Sequence, residues 1–178
     1  MTDFRYSVAG AADAANLAAL SIEVWLHTYA RDGIRRAFSN YVLGEFTTAR
    51  FEGHLSSPSQ AIVKCERGDS LLGYLRMDFK AVCPTLPELT GEIVTLYVRA
   101  HHARNGIGAS LLAHASDLCR QRNLKGFWLA VNHENAAAIR FYDAQHFRRK
   151  GSRYFELEGE RHENFILYRD LLPAAPAR

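Results

Sequence analysis

Apolar and polar residues alternate along the chain in two different periods, and the changes of period mark out the elements. Alternation by twos is typical of strands, and recurrence at every third or fourth position is typical of helices. The first half predicts a strand, two helices and the two strands of a hairpin, in residues 4–8, 13–29, 45–55, 60–66 and 70–79. The turn Arg67-Gly68-Asp69 separates the last two of these and supports the hairpin.

The second half of the chain alternates apolar strands with amphipathic helices. Residues 92–99 (EIVTLYVR) are apolar on both faces, which is typical of a central strand that is covered on both sides. A helix, a strand, a helix and two closing strands are predicted for residues 108–121, 126–131, 135–145, 147–157 and 163–171. The order predicts an α+β fold in which a mixed, mostly antiparallel sheet of about seven strands is flanked by about four helices. Because no linker interrupts this pattern, we predict one domain in residues 1–172 and a loose tail in residues 173–178.

Composition narrows the class of protein without naming a function. Of 178 residues, 48% are apolar and 23% are charged, which is ordinary for a globular chain and excludes a disordered one. Apolar runs fall short of the ~20 residues of a membrane span, and residues 1–5 lack the layout of a signal peptide, so we expect a cytoplasmic protein without a membrane partner. A net charge of +3 disfavours a nucleic-acid partner. The cysteines Cys65, Cys83 and Cys119 are too scattered for a disulfide framework or a metal site, so no metal is expected.

The strongest local feature is a glycine-rich turn between the predicted central strand and the next helix. It reads Arg104-Asn105-Gly106-Ile107-Gly108. Glycines let the backbone turn tightly, and the free N–H groups of the first helical turn attract an anion, to which Arg104 adds a mobile positive charge. Taken alone, the pattern fits a tight strand-to-helix connection equally well. A Walker loop is excluded because no Gly-Lys-Ser/Thr follows.

A second feature lies in the helix that follows the next predicted strand, Asn135-Ala136-Ala137-Ala138-Ile139-Arg140-Phe141-Tyr142. Asn135 and Tyr142 share one face of this helix, about two turns apart. Taken separately, Asn135 fits a helix N-cap and Tyr142 fits a core aromatic residue. The two features gain meaning from their order and spacing along the chain.

That order and spacing resemble the GNAT superfamily of N-acetyltransferases. The resemblance covers residues 60–172 and rests on the central strand, an R/Q-x-x-G-x-G/A turn and an N-x-x-A-x-x-F-Y helix followed by a strand at Phe147. Two positions depart from the family pattern: Ala103 stands where Arg or Gln is usual, and His146 stands where Gly is usual. His146 must therefore accept a helix C-terminal conformation that suits glycine better.

The resemblance implies a transfer of an acetyl group from acetyl-CoA to an amine in a ternary complex. The pyrophosphate of the coenzyme would be held by Arg104, Asn105, Gly106, Ile107, Gly108 and Ala109. The pantetheine and thioester would meet the backbone of Leu96, Tyr97 and Val98, and the side chain of Asn135. A bulge in that strand is expected to splay it from its neighbour. Tyr142 would protonate the leaving thiolate, and Glu92 is the candidate base, with a structural or substrate-orienting role as the alternative.

Within the superfamily, the chain resembles bacterial polyamine (spermidine/spermine) N-acetyltransferases of the PaiA type. The likeness rests on residues 25–29, residues 128–131 and the closing hairpin over residues 155–167. A small-molecule amine is the implied acceptor, with Glu23, Asp32 and Glu92 as carboxylates for a cation and Trp25 and Tyr29 as rings that stack on it or belong to the core. A protein or peptide acceptor and a non-catalytic CoA-binding module stay open as alternatives, as does a homodimer.

Overall fold

The computed structural model of the chain describes residues 4–157 and 160–171. Its α-helices in these residues are α1 Ala14–Tyr29, α2 Arg36–Glu45, α3 Thr48–Ser56, α4 Ile107–Gln121 and α5 Ala136–Ala144. Its strands are β1 Arg5–Val8, β2 Gln60–Arg67, β3 Ser70–Cys83, β4 Leu86–Val98, β5 Gly126–Asn132, β6 Arg148–Leu157 and β7 Glu160–Asp170. Short 3-10 helices, Ala11–Asp13 and Ala100–His102, precede α1 and follow β4.

The strands form one seven-stranded sheet in the order β1-β2-β3-β4-β5-β7-β6. Strand β1 pairs antiparallel with β2, and β7 pairs antiparallel with both β5 and β6. Strands β4 and β5 are parallel, with Glu92 opposite Trp128, and α4 forms the crossover that a parallel pair requires. The predicted α+β fold with a mixed sheet of seven strands is therefore confirmed, including its single βαβ unit.

Helix α2 lies in a stretch for which the sequence predicts no element. It buries Phe38 and Val42, four residues apart, but Leu43 is 67% exposed and obscures the helical period. Its N-cap residue, Arg35, makes no side-chain capping hydrogen bond, so the usual start signal is missing as well. The next helix, α3, begins a few residues later than predicted because Thr47 caps it by accepting a hydrogen bond from the Arg50 N–H at 3.3 Å.

Burial along α4 and β5 follows the predicted faces, whereas burial along β4 does not. The α4 side chains Leu111, Leu112 and Cys119 are fully buried, and β5 is buried on both faces. In β4, however, Val94 is 38% exposed and residues 95–98 are only half-buried. The prediction that residues 92–99 are covered on both sides is thus wrong for this part of the strand. Its apolar side chains form an accessible surface rather than a closed core.

Contacts between residues divide the chain into two compact units. The first unit consists of residues 1–76 and 95–114, and the second of residues 77–94 and 115–178. In the first unit, α1 and α3 pack on β2 and β3 through Leu17, Leu20, Phe51, Ile62 and Tyr74. In the second unit, Cys83, Trp128, Ile166 and Tyr168 form a buried cluster, and the Trp128 indole donates a hydrogen bond to the Ala81 carbonyl at 3.2 Å.

Three predictions concern residues at the margins of the described chain. The predicted tail 173–178 and two of the three residues of the predicted hairpin turn, 158–159, lie outside the described residues. The domain boundary at residue 172 stays a prediction. Within the described residues, none of the helices combines the length and the apolar character that a membrane crossing requires.

Candidate active site

The last residues of β4 in the first unit, 96–98, are half-buried and lie close to β3. Gly73 of β3 makes this arrangement possible, because a side chain there would lie 2.7 Å from the Tyr97 carbonyl oxygen and 3.2 Å from the Val98 Cα. Beyond the end of β4, the Arg99 N–H donates a hydrogen bond to the Leu72 carbonyl at 2.9 Å and holds the two strands in register. Residues 96–98 stay half-buried in this position.

The turn that follows β4 has an unusual backbone. Arg104 and Gly106 have positive φ angles of 65° and 79°, whereas Asn105 between them does not. A non-glycine residue rarely adopts a positive φ, and such strain collects at functional sites. All three residues are exposed, and a side chain on Gly106 would meet no atom within 4 Å. The turn is therefore open to solvent rather than packed against the protein.

The beginning of α4 completes a concave array of N–H groups. The Ser110 N–H donates a hydrogen bond to the Gly106 carbonyl at 3.0 Å, so Gly106 is the residue from which the helix starts. The N–H groups of residues 107–109 have no partner within the helix itself, as in any first helical turn. Ile107 is 1% exposed and anchors this turn in the core. Alternating φ signs followed by a helix N-terminus form a backbone concavity that suits an anion such as a pyrophosphate.

Asn135 occupies the N-cap of α5. Its side-chain oxygen accepts a hydrogen bond from the Ala138 N–H at 3.1 Å, which confirms the N-cap interpretation. The half-buried side chain uses only its oxygen in this interaction. Its amide nitrogen keeps two donors, and these are the groups that a pantetheine carbonyl would need.

Tyr142 lies on α5 in the core of the second unit and is 8% exposed. Its ring packs edge-on against Phe141 and Phe147, each at 5.2 Å between centroids. Its hydroxyl has no hydrogen-bond partner among the described residues, and burial raises its pKa above the ordinary value of 10.0. The phenol therefore keeps its proton at neutral pH, as a proton donor must. Four residues on, His146 has a φ of 64°, which confirms that it adopts the glycine-like conformation.

Glu92 lies in β4 within the second unit and is engaged in an ion pair. Its carboxylate accepts a hydrogen bond from the Arg153 guanidinium at 3.4 Å, and its side chain is 14% exposed. Arg153 also lies over the ring of Trp128, 5.6 Å from its centroid. The Glu92 carboxylate is therefore already paired with the Arg153 guanidinium, which itself lies over the Trp128 ring.

An aromatic cluster in the first unit was predicted only in part. Trp25 contacts Tyr29, as their spacing indicates, but it also contacts Tyr41 of α2, at 4.9 Å between ring centroids in both pairs. Tyr41 in turn contacts Phe46, and Phe46 contacts Tyr97 of β4. Tyr41 was not predicted because α2 was not, and Phe46 was predicted as part of a helix over residues 45–55, whereas it is the C-cap residue of α2. The only signal in the sequence was the density of aromatic residues between positions 38 and 46.

The candidate residues fall into the two units as follows. The first unit holds residues 96–98 and 104–109, which were predicted to meet the coenzyme, together with the aromatic cluster. The second unit holds Glu92, Asn135 and Tyr142. Each unit therefore holds some of the residues that were predicted to form the site. The predicted anion-binding turn lies in the first unit, and the predicted proton donor Tyr142 and the capping residue Asn135 lie in the second.

The chain belongs to the acetyltransferase (GNAT) family, whose family model matches residues 23–147. It is accordingly an acyl-CoA-dependent N-acetyltransferase by class. An uncharacterised N-acetyltransferase of Mycobacterium tuberculosis is 28% identical over 138 residues, which cover 75% of this chain and 82% of that protein.

Solved structures share the fold at lower sequence identity. PaiA N-acetyltransferase from Thermoplasma acidophilum, in complex with coenzyme A, superposes with a TM-score of 0.73 at 16% identity, covering 94% of this chain and 99% of that chain. The ribosomal-protein-S18-alanine N-acetyltransferase from Escherichia coli superposes with a TM-score of 0.65 at 19% identity, covering 98% and 97%. The name of the second protein specifies a protein acceptor and the name of the first specifies none, so the shared fold leaves the acceptor of this chain open.

Proposed function

We propose that the protein transfers an acetyl group from acetyl-CoA to the primary amine of a small molecule, by direct attack in a ternary complex. The observation that carries this proposal is the exposed turn over residues 104–106, whose φ angles alternate in sign before α4 begins. Such a turn binds an anion through backbone N–H groups, whatever the side chains are. The coenzyme complex of the PaiA relative supports coenzyme A as the source of that anion.

In this proposal, residues 104–109 hold the pyrophosphate and the half-buried residues 96–98 offer backbone groups to the pantetheine and thioester. Asn135 donates to the pantetheine through the amide nitrogen that its capping role leaves available. Coenzyme A supplies an activated acetyl thioester when it is bound. The chain contributes position and hydrogen bonds, and positioning alone accounts for a large part of the rate in reactions of this kind.

The chemistry requires a neutral amine, a donor to the tetrahedral oxyanion and a proton for the departing thiolate. Tyr142 is the proposed proton donor, since its buried phenol stays protonated and has no described hydrogen-bond partner. The carbon–nitrogen bond forms first and gives the tetrahedral oxyanion, and the amine passes one proton to the proposed base or to water. The carbon–sulfur bond then breaks, and the departing thiolate takes the proton of the phenol. Under this assignment the phenol is re-protonated by solvent between turnovers.

Glu92 is the proposed base for the amine, with a structural role as the competing interpretation. Its ion pair with Arg153 favours the structural role, because a carboxylate held by a guanidinium is a poor proton acceptor. Glu92→Gln separates the two. As a base, Glu92 gives an acidic limb in the pH profile of kcat/KM that the variant loses, whereas a structural carboxylate leaves the shape of the profile unchanged.

Two other functions compete with a small-molecule acceptor. A protein N-terminus or a lysine is the first, and the likeness to the ribosomal-protein-S18-alanine enzyme supports it at the level of fold. A non-catalytic CoA-binding module is the second, and the retained Tyr142 argues against it. A polyamine is the acceptor implied by the PaiA resemblance. However, two of the three carboxylates considered for binding it, Glu23 and Glu92, are paired with arginines.

A thiol-release assay with acetyl-CoA tests the proposal. The acceptors are spermidine, aliphatic and aromatic monoamines, and peptides with free N-termini or lysines. We expect thiol release with at least one monoamine and no release with the peptides above the rate of thioester hydrolysis. Release only with peptides would move the function to protein acetylation, and CoA binding without any release would make the chain a binding module. A homodimer and a cytoplasmic location stay predictions for sizing chromatography and cell fractionation.

A further inference from the structure

A continuous row of aromatic rings crosses the first unit from α1 through α2 to the end of β4. We call it the aromatic row; its members in order are Tyr29, Trp25, Tyr41, Phe46, Tyr97 and Tyr74. Neighbouring ring centroids lie 4.9–6.4 Å apart, which is the range of favourable aromatic contacts. Its fifth member, Tyr97, lies on β4, the strand whose backbone is proposed to meet the thioester, and its last member, Tyr74, lies on β3. The row therefore reaches the proposed place of the reaction.

The row contains buried rings and rings that are partly exposed. Trp25 and Tyr74 are buried, whereas Tyr41, Phe46 and Tyr97 are half-buried and Tyr29 is 46% exposed. Trp25 also packs edge-on against Phe38 at 5.3 Å, which fixes its orientation. A row made only for core packing would be covered along its whole length. In this row, Tyr29 is exposed and three further rings are only half-buried.

Three phenol groups of the row have no hydrogen-bond partner among the described residues: those of Tyr29, Tyr41 and Tyr97. By contrast, the Tyr74 hydroxyl lies 2.7 Å from the Ser21 hydroxyl. Burial and neighbouring phenols raise the pKa of Tyr97 and Tyr41, so both stay neutral and able to donate and accept. Partly buried polar groups without partners are ready to bind a ligand that brings its own hydrogen-bonding groups.

The charges around the row disfavour a polycation. Glu23, on the same helix as Tyr29, is paired with Arg99 at 2.9 Å, and Glu45, next to Phe46, is paired with Arg50 at 3.0 Å. The exposed connection between α1 and α2 carries Arg31 and Arg35 against the single Asp32, and the exposed Arg36 begins α2. A positive rim repels an acceptor with several ammonium groups, and it tolerates one with a single amine.

We propose that the aromatic row binds the acceptor, and that the acceptor is a primary amine carried on an aromatic or flat apolar group rather than a polyamine. The ring of the acceptor stacks along Tyr29 and Tyr41, and the phenols of Tyr41 and Tyr97 hydrogen-bond its polar atoms. This inference rests on the proposed acetyl transfer, of which it names the substrate class. None of the polar side chains involved belongs to the coenzyme turn.

Two measurements on the full chain test the inference, with 2-phenylethylamine and spermidine as probes. The first is calorimetric titration of each amine into CoA-saturated protein, and the second is kcat/KM from thiol release. We expect 2-phenylethylamine to bind, spermidine to bind at least about tenfold more weakly, and kcat/KM to follow the same order. Tighter binding or faster acetylation of spermidine would overturn the aromatic acceptor and leave the acetyltransferase proposal intact. Binding of 2-phenylethylamine without any thiol release would contradict the acetyltransferase proposal and leave the aromatic binding site intact.

Conservative variants then locate the site. Tyr41→Phe and Tyr29→Phe each remove one hydroxyl and keep the ring, and Tyr41→Phe is expected to weaken 2-phenylethylamine about fivefold, the effect of one lost hydrogen bond. Tyr154→Phe is the matched control, because it removes an exposed phenol on β6 in the second unit. Tyr29→Ala removes a stacking ring and is expected to weaken the amine further, with CoA affinity unchanged. Equal affinity in the wild type, Tyr41→Phe and Tyr29→Ala would exclude the row as the acceptor site.

Discussion

The proposed coenzyme turn, residues 104–109, and the aromatic row lie in the same compact unit, yet they are built from different parts of the chain. The turn would bind its ligand through backbone N–H groups, with a positive φ at Gly106 and the start of α4. The row would bind its ligand through side chains that come from α1, α2 and β4. Backbone recognition requires particular residue types at fixed spacing and so leaves a motif. Recognition by side chains from separate elements leaves none.

The difference has a consequence for substitution. In the turn, a substitution is expected to be harmful when it alters the backbone conformation or adds a negative charge where an anion would bind. Other substitutions there are expected to be harmless. In the row, a change is harmful when it removes a ring or a hydroxyl, even if the backbone stays the same.

Gly106→Asp is expected to abolish turnover, because it places a carboxylate in the anion concavity at a residue with a φ of 79°. The repulsion at close range lowers the affinity for CoA by more than about 100-fold. Gly68→Asp is a closely matched control: Gly68 lies between β2 and β3, has a φ of 59°, and likewise has open space around its Cα. Initial rates at varied acetyl-CoA should separate the two variants. Comparable loss in both would trace the defect to backbone strain and remove the turn from the coenzyme site.

Tyr142→Phe is expected to lower kcat by about 100-fold or more, the scale of a lost general acid, while the affinity for CoA stays within about twofold. The ring contacts with Phe141 and Phe147 survive in the variant, so the fold should be retained. Steady-state kinetics and calorimetry of CoA measure the two quantities separately. A kcat equal to that of the wild type would show that solvent protonates the thiolate.

The raised pKa of Tyr142 also predicts a pH dependence. Because the pKa lies above the ordinary value of 10.0, the acid form persists as the pH rises through that value. The amine, in contrast, becomes a better nucleophile with rising pH as it loses its proton. We therefore expect kcat to rise or stay level up to about pH 10 in the wild type. A fall in kcat between pH 8 and pH 9, both about one unit or more below the ordinary tyrosine pKa, would contradict the assignment.

Gly73→Ala is expected to have the smallest of these effects and to touch both regions through β4. The added carbon would lie 2.7 Å from the Tyr97 carbonyl oxygen, so β4 must shift by a few tenths of an ångström. We expect a loss of about 1–3 kcal/mol in the free energy of unfolding and a higher KM for both substrates. Gly44→Ala, in α2 with no atom within 4 Å of the new carbon, is the comparison variant. It should leave KM unchanged and stabilise the fold slightly, because alanine favours a helix more than glycine does. Denaturant unfolding and steady-state kinetics measure the two effects.

The sequence predicted most of the fold, and it placed the glycine-rich turn where the structure has the exposed turn before α4. The spacing of apolar residues predicted which faces of β5 and α4 are buried. The spacing between the turn, Asn135 and Tyr142 pointed to the family whose model matches the chain. It missed α2, because Leu43 breaks its apolar stripe and Arg35 gives no capping signal. Because α2 was not predicted, Tyr41 was assigned to no site, and Phe46 was assigned only to the predicted helix over residues 45–55. The contacts of these two rings with Trp25 and Tyr97 depend on tertiary packing.

Charge pairing was the other part that the sequence could not supply. Glu23 and Glu92 were candidates for binding a cationic acceptor because of their positions in α1 and β4. Their partners, Arg99 and Arg153, lie 76 and 61 residues away along the chain, and only the folded structure brings each pair together. Because these two carboxylates are already paired with arginines, we infer a monoamine rather than a polyamine as the substrate class.

The central claim is that acetyl-CoA and the amine react directly while both are bound. The three cysteines are buried and free of disulfides. Burial raises the pKa of Cys65, and it raises that of Cys119 to about 12, so neither of these two thiols is an activated nucleophile. Initial rates measured over a grid of acetyl-CoA and 2-phenylethylamine concentrations test the claim directly. Double-reciprocal lines that intersect are the predicted result, because both substrates must be present before any product leaves. Parallel lines, which indicate a covalent acetyl-enzyme, would contradict it.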